Sequence, residues 1–79
     1  MPKLPVISGK ELVKFLETIG FIQTRQKGSH VRMHSSDGRV TTIPVHTNRE
    51  IPKGLLRKII REDLQLSLED FIEIYSKQK

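Results

Sequence analysis

The fold is decided by residues 21–45, which read FIQTRQKGSHVRMHSSDGRVTTIPV. Two turn signals divide this stretch, Lys27-Gly28 and Ser36-Asp37-Gly38. Glycine accepts the positive φ that tight hairpin turns require, so each signal predicts a reversal of the chain. The stretch therefore predicts three antiparallel strands, at residues 21–26, 29–34 and 39–45.

The middle strand alternates between apolar and polar residues. Val31 and Met33 share one face, and the opposite face carries His30, Arg32 and His34. A strand with one apolar face packs that face on the core, so we expect the histidine face to lie open. In the third strand, Pro44 has no N–H to donate to a ladder and is predicted at a sheet edge or strand end.

Helices flank the strands. Ser8-Gly9-Lys10-Glu11 has the form of a capping box, and an apolar stripe follows it at Leu12, Phe15, Leu16 and Ile19. Gly20 is predicted to end this first helix in a left-handed conformation.

Two further helices are predicted after the polar loop at 47–50. One begins at Pro52, and its apolar stripe is Leu55, Leu56, Ile59 and Ile60. The other begins at the capping box Ser67-Leu68-Glu69-Asp70 and buries Leu68, Phe71, Ile72 and Tyr75. The order α-β-β-β-α-α predicts an α+β fold, a three-stranded antiparallel sheet with helices on one face, and it resembles the double-stranded-RNA-binding domain.

Size and charge limit the function. A chain of 79 residues without cysteine predicts one domain over residues 1–79, and no apolar run approaches a membrane span or signal-peptide core. We therefore expect a soluble, cytoplasmic protein that does not contact a membrane. The net charge is +5, and residues 25–49 hold five Lys or Arg against one acid, Asp37. This balance favours a polyanionic partner, nucleic acid first.

The spacing of His30 and His34 is compatible with a metal site only on a helix. On a strand it separates the two residues by roughly 13 Å, too far to share one ion. We therefore predict no metal and no cofactor, and His34 is expected to be an exposed histidine beside the turn.

His30 is the candidate catalytic residue, and the competing interpretation is that it is a surface histidine with no function. RNA cleavage favours the first, because the substrate brings its own nucleophile, the ribose 2′-OH. The protein then needs only a group that moves a proton and cations that hold the phosphate. The RNA-binding residues are predicted to be Arg25, Lys27, Gly28, Arg32 and Arg39.

Two other residues are candidates to assist His30. Ser29 has no acid on its strand to orient it as a nucleophile, so it either hydrogen-bonds the turn or positions a phosphate. His46 returns towards His30 if the second and third strands pair, where it either assists binding or caps the strand.

Several blocks, in order along nearly the whole chain, carry a family resemblance. They are Ser8-Gly9-Lys10-Glu11-Leu12, Gly20-Phe21, Arg25-Gln26-Lys27-Gly28-Ser29-His30, Pro44-Val45-His46, Lys53-Gly54-Leu55-Leu56-Arg57-Lys58-Ile59 and Leu68-Glu69-Asp70-Phe71. With them the chain resembles the HicA family of mRNA interferase toxins. The resemblance implies a double-stranded-RNA-binding-like fold, cleavage of mRNA, a catalytic role for His30, and a HicB antitoxin that masks the active face.

Two other functions remain open at this point. The same basic face could bind structured RNA without cutting it, or it could serve only to dock an acidic protein. RNA cleavage that is lost on replacing His30 would distinguish an enzyme from both.

Overall fold

A computed structural model describes residues 3–46 and 49–77. The elements follow one another as α1 (Gly9–Thr18), β1 (Phe21–Lys27), β2 (His30–Ser35), β3 (Val40–Pro44), α2 (Lys53–Lys58), a π-helical segment (Ile59–Asp63) and α3 (Leu68–Lys77). The predicted order and the small α+β fold class are confirmed. The predicted polar loop at 47–50 lies partly outside the described residues.

The first helix begins at the capping box that the sequence predicts. Ser8 Oγ accepts from the amide of Glu11 at 3.1 Å, and the amide of Ser8 donates to the carboxylate of Glu11 at 3.0 Å. Together the two bonds satisfy amides that a helix start leaves free. Gly20 follows the helix with φ of 101°, as the sequence predicts.

The three strands form one antiparallel sheet in the order β1-β2-β3. Lys27 opposes His30, so Gly28 and Ser29 form the first turn, and the predicted turn at Lys27-Gly28 is wrong by one residue. Gly28 has φ of 58°, as in hairpin turns with glycine at the first central position. Pro44 ends β3, an edge strand, so that prediction is confirmed.

The helices cover one face of the sheet. On the sheet side the buried residues include Val31, Met33 and Ile43, and the first two were predicted to be buried. They form a single core with the apolar stripes of the helices. In that core the ring of Phe15 meets the rings of Phe71 and Tyr75 edge-on, each with centroids 5.3 Å apart. Edge-on aromatic packing of this kind adds to the burial of the rings.

The predicted stripe of the second helix is wrong at Leu55, which is 38% exposed. At about 100° per residue, Leu55 and Ile60 lie at the two edges of the stripe, each about 70° from its centre, and of these two only Ile60 is buried. The buried residues are Leu56, Ile59 and Ile60, and the last two lie in the π-helical segment.

Hydrogen bonds join the end of the π-helical segment to β3 and the residue before it. Thr41 Oγ1 donates to Asp63 Oδ2 at 2.9 Å, and Arg39 Nη1 donates to the carbonyl of Leu64 at 2.8 Å. Thr41 is buried, so its hydroxyl needs this partner. These bonds hold the end of the π-helical segment against β3, an edge strand of the sheet.

Gly9 lies where α1 meets the end of β3. A Cβ at this position would lie 2.1 Å from the carbonyl oxygen of Pro44 and 2.9 Å from Val45 Cα, both backbone atoms. Gly9→Ala is therefore expected to lower the free energy of unfolding by about 1–3 kcal/mol, measured by urea denaturation. The control is Gly54→Ala, because a Cβ there meets nothing within 4 Å and its helix should gain up to about 1 kcal/mol. Equal stability of Gly9→Ala and the parent would contradict this packing.

Asp37 lies in the β2–β3 turn, where it is exposed. Hydrogen bonds from the Ser35 hydroxyl and from Arg39 lower its pKa from 3.8 to about 2. A lowered folded-state pKa stabilises the fold above the unfolded value, and this stabilisation is lost as the pH falls from about 4 to about 2. In an NMR titration the Asp37 carboxyl should titrate near 2, and in Ser35→Ala its midpoint should rise. A midpoint near the ordinary value in the parent protein would mean that the turn is not closed in this way.

Candidate active site

The β1–β2 hairpin presents His30 at the start of the central strand. Its cross-strand neighbours are Lys27 in β1 and Pro44 in β3. The carbonyl of Ser29 accepts from the amide of Val45 at 2.6 Å, which ties the hairpin turn to the end of β3. His30 is therefore held by backbone pairing on both sides while its side chain stays exposed.

A β-bulge in β1 brings two cations to the same face as His30. Ile22 opposes His34 and Gln23 opposes Met33, but the next pair is Arg25 with Arg32, so Thr24 is the extra residue. Residues directly opposite in adjacent strands share a face. One extra residue reverses the alternation of the strand, so Arg25 and Lys27 lie on the open face rather than on the core face.

The residues on this face line a shallow concavity of about 210 Å³, which we call the His30 groove. Its lining residues are Arg25, Lys27, His30, Arg32 and Thr42. Thr42 opposes Arg32 across the β2–β3 pair, and the sequence reasoning missed it as a site residue. The alternation of β3 could have indicated Thr42, since it directs this residue to the face of the sheet away from buried Thr41 and Ile43.

The chemistry of the His30 groove follows from its composition. Three of its five residues are arginine or lysine, and no carboxylate lines it. The three cations come from two adjacent strands, so they can contact one phosphate or two successive phosphates beside the imidazole. Such a groove can hold a phosphodiester and offer it one acid–base group.

His34 lies on the same face but differs from the prediction of an exposed histidine. It is half-buried, and its Nε2 accepts from Nε of Arg32 at 3.4 Å. The reason is that two residues along a strand return to one face, where the long arginine side chain reaches the imidazole. His34 therefore contacts a cation of the His30 groove without lining it.

Arg39 lies away from the His30 groove. Its Nε pairs with Asp37 at 2.9 Å, its Nη1 bonds the carbonyl of Leu64, and its guanidinium lies 5.2 Å from the centre of the Phe21 ring. These contacts use the charge of Arg39 to close a turn and to anchor the end of the π-helical segment. The structure does not bring it together with Arg25, Lys27 and Arg32.

His46 lines a different concavity from His30. That concavity, about 500 Å³, lies against the start of α1 and includes Ser8, Lys10 and Glu11. His46 is two residues beyond Pro44, the cross-strand neighbour of His30, so the pairing of β2 with β3 that the sequence predicts is present. The two imidazoles nevertheless do not line one groove.

Within 3–46 and 49–77, no group of three or more His, Cys, Asp or Glu is arranged to hold a metal ion. No helix in these ranges is both long and apolar enough to cross a membrane.

Comparison with known proteins gives one family. No curated protein matches the sequence. The sequence profile of the family described as HicA toxin of bacterial toxin-antitoxin matches residues 9–64, which is more than half of the chain and extends from the start of α1 to the residue after the π-helical segment. This chain belongs to the HicA toxin family of bacterial toxin–antitoxin systems.

Proposed function

We propose that this chain is a metal-independent endoribonuclease toxin, an mRNA interferase working in the cytoplasm as a single domain of residues 1–79. The observation that carries the proposal is the exposed imidazole of His30 in a groove whose other side chains are Arg25, Lys27, Arg32 and Thr42. Membership of a toxin family supports the biological role, because cutting RNA stops growth.

The reaction needs little from the protein. The ribose 2′-OH attacks the adjacent phosphorus, a bond forms from O2′ to phosphorus, and the bond from phosphorus to O5′ breaks. One proton leaves the 2′-OH and one reaches O5′. His30 takes the first proton as a general base or supplies the second as a general acid. The products end in a 2′,3′-cyclic phosphate and a 5′-OH.

The cations stabilise the charge that develops during the attack. Arg25, Lys27 and Arg32 line the same groove as the imidazole, so their charges would oppose those of the non-bridging phosphate oxygens. Gly28 allows the tight turn that holds Lys27 opposite His30. Ser29, in that turn, is proposed to donate its hydroxyl to a neighbouring phosphate.

The other proton transfer involves water. His46 lines a separate concavity, which argues against a second imidazole in the His30 groove. The groove is open, so water reaches both the attacking and the leaving oxygen. A single positioned acid–base group contributes about 10² to 10⁴ in rate, which makes this a slow enzyme.

A HicB-type antitoxin is proposed to cover the His30 groove. Carboxylates of the partner would neutralise Arg25 and Arg32, and complementary charge speeds association. Ile22 lies on the same face and is 64% exposed, so it offers an apolar contact beside the cations. An antitoxin seated here would exclude RNA directly.

A non-catalytic RNA-binding module is the second candidate. The same three cations favour it, because they would bind phosphates whether or not His30 moves a proton. Binding and cleavage must therefore be measured separately.

His30→Ala is expected to abolish cleavage while leaving the fold intact, because His30 is exposed. The rate should fall by at least about 10²-fold, and RNA affinity should change little because the cations remain. Cleavage by the parent protein should continue in a chelator and yield cyclic phosphate ends, read by mass spectrometry.

His46→Ala is the matched control, since it removes an exposed imidazole outside the His30 groove. It should cleave at nearly the parental rate. Wild-type cleavage by His30→Ala would refute the mechanism, and RNA binding without cleavage in the parent protein would favour the binding module.

Two arginines seven residues apart should behave in opposite ways. Arg32→Gln is expected to weaken RNA binding with a small change in melting temperature. The slope of the logarithm of RNA affinity against the logarithm of salt concentration should fall in magnitude by about 0.7. Arg39→Gln removes the bonds to Asp37 and Leu64, so it should lower the melting temperature and leave the slope nearly unchanged. Reversed results would mean that the open and core faces of the sheet are assigned backwards.

A further inference from the structure

A second group of cations lies on the helical side of the molecule. We call it the basic helix face, and it consists of Lys53, Arg57, Lys58 and Arg61, all exposed. These residues belong to α2 and the π-helical segment, whose buried side chains are Leu56, Ile59 and Ile60. The cations therefore project away from the core.

These four cations have no side-chain partner among the described residues 3–46 and 49–77, since none of them takes part in an ion pair or a side-chain hydrogen bond. By contrast, Arg39 makes an ion pair and a bond to a backbone carbonyl. Four unpaired cations within nine residues repel one another unless an anion binds them.

The basic helix face is also concave. Gly54, Arg57, Lys58, Arg61 and Glu62 line a depression of about 460 Å³. Gly54 leaves the helix backbone bare there, and a Cβ at this position would meet nothing within 4 Å. Packing therefore gives no reason for glycine, whereas a ligand that approaches the helix closely does.

The basic helix face is separate from the His30 groove. The groove lies on the open face of the sheet, whereas α2 packs with the helices on the other face, and no residue lines both depressions.

We propose that the basic helix face is a second RNA-binding surface, which holds the phosphate backbone of RNA outside the cleaved nucleotides. This inference rests on the proposed function, since it assigns RNA as the substrate class of the same protein. It implies that long RNA contacts two surfaces of the toxin, whereas a very short RNA contacts the His30 groove alone.

The composition of the face favours RNA over a protein partner. The centre of a protein–protein interface is depleted of charged residues and carries apolar or aromatic anchors. Here three of the five lining residues are cations, one, Glu62, is an anion, and none is apolar or aromatic apart from Gly54. A phosphate backbone needs only cations at a suitable spacing.

The test is the double variant Arg57→Gln/Arg61→Gln, with Lys3→Gln/Lys14→Gln as the control that removes the same charge from other exposed positions. Affinity for a long transcript is measured against salt, with His30→Ala added to every protein so that RNA stays intact. The arginine variant should bind more weakly than the control, and its log–log slope should be lower by about 1.4, or about 0.7 for each cation. Equal affinity and slope in the two double variants would overturn the proposal.

Cleavage of a tetranucleotide, with His30 present, separates this inference from the proposed function. The arginine variant should cut the tetranucleotide at the parental rate and show a raised KM only for the long transcript. Slower cutting of the tetranucleotide would mean that these arginines belong to the His30 groove and would overturn the inference. If no protein cleaves RNA, the proposed function fails, while the binding comparison still decides the inference.

A glycine variant adds a test in which stability and RNA affinity are expected to change in opposite directions. Gly54→Leu fills the depression with a good helix former, so the melting temperature should stay equal or rise while affinity for the long transcript falls. A stable Gly54→Leu with parental affinity would contradict close approach of RNA at this position. Loss of antitoxin binding in the arginine variant, with RNA affinity unchanged, would assign the face to the protein partner instead.

Discussion

The site depends on one irregularity in the β1–β2 pairing, the extra residue Thr24. Before it, β1 directs Phe21 to the core. Strict alternation would then direct Arg25 and Lys27 to the core face as well. The bulge reverses the alternation, and both cations come to lie opposite Arg32 and His30. Thr24 Oγ1 lies 3.4 Å from the carbonyl of Arg32, on the strand that carries the imidazole.

The two faces of the sheet consequently have different roles, because the core face stabilises the fold and the open face carries the candidate site. The core face holds Met33, Ile43 and buried Thr41, whose hydroxyl fixes the π-helical segment through Asp63. The open face holds exposed side chains that the core does not need, so substitutions there can change chemistry without changing stability. Arginine illustrates the division, because Arg39 stabilises the fold whereas Arg32 faces solvent beside His30.

Local chemistry made much of this predictable from the sequence. The capping box at Ser8, the stop at Gly20 and the alternation of β2 each depend on residues within a few positions of one another. The bulge at Thr24 was not predictable, because no glycine or proline marks it and only pairing with β2 reveals it. The first turn was misplaced by one residue because glycine is accepted at either central position of a two-residue turn, and only the pairing of Lys27 with His30 decides between them.

Long-range contacts account for the remaining differences in the site. The carbonyl of Leu64 that accepts from Arg39 lies 25 residues away, so the sequence could not show that Arg39 makes this contact. The concavity lined by His46 is formed with the start of α1, which the pairing of β2 with β3 does not indicate. The alternation of β3 assigns Thr42 to the open face, but its place beside Arg32 depends on the register between β2 and β3.

His30 can act alone only if the substrate supplies the nucleophile. The most direct measurement uses an RNA oligonucleotide in which a single 2′-deoxy sugar replaces the ribose on the 5′ side of the cleaved bond. The expected result is that this bond remains intact, while the oligonucleotide binds as tightly as unmodified RNA and is still cut at its other sites. Cleavage of the modified bond at the rate of the unmodified one would show that the nucleophile comes from elsewhere and would contradict the role given to His30.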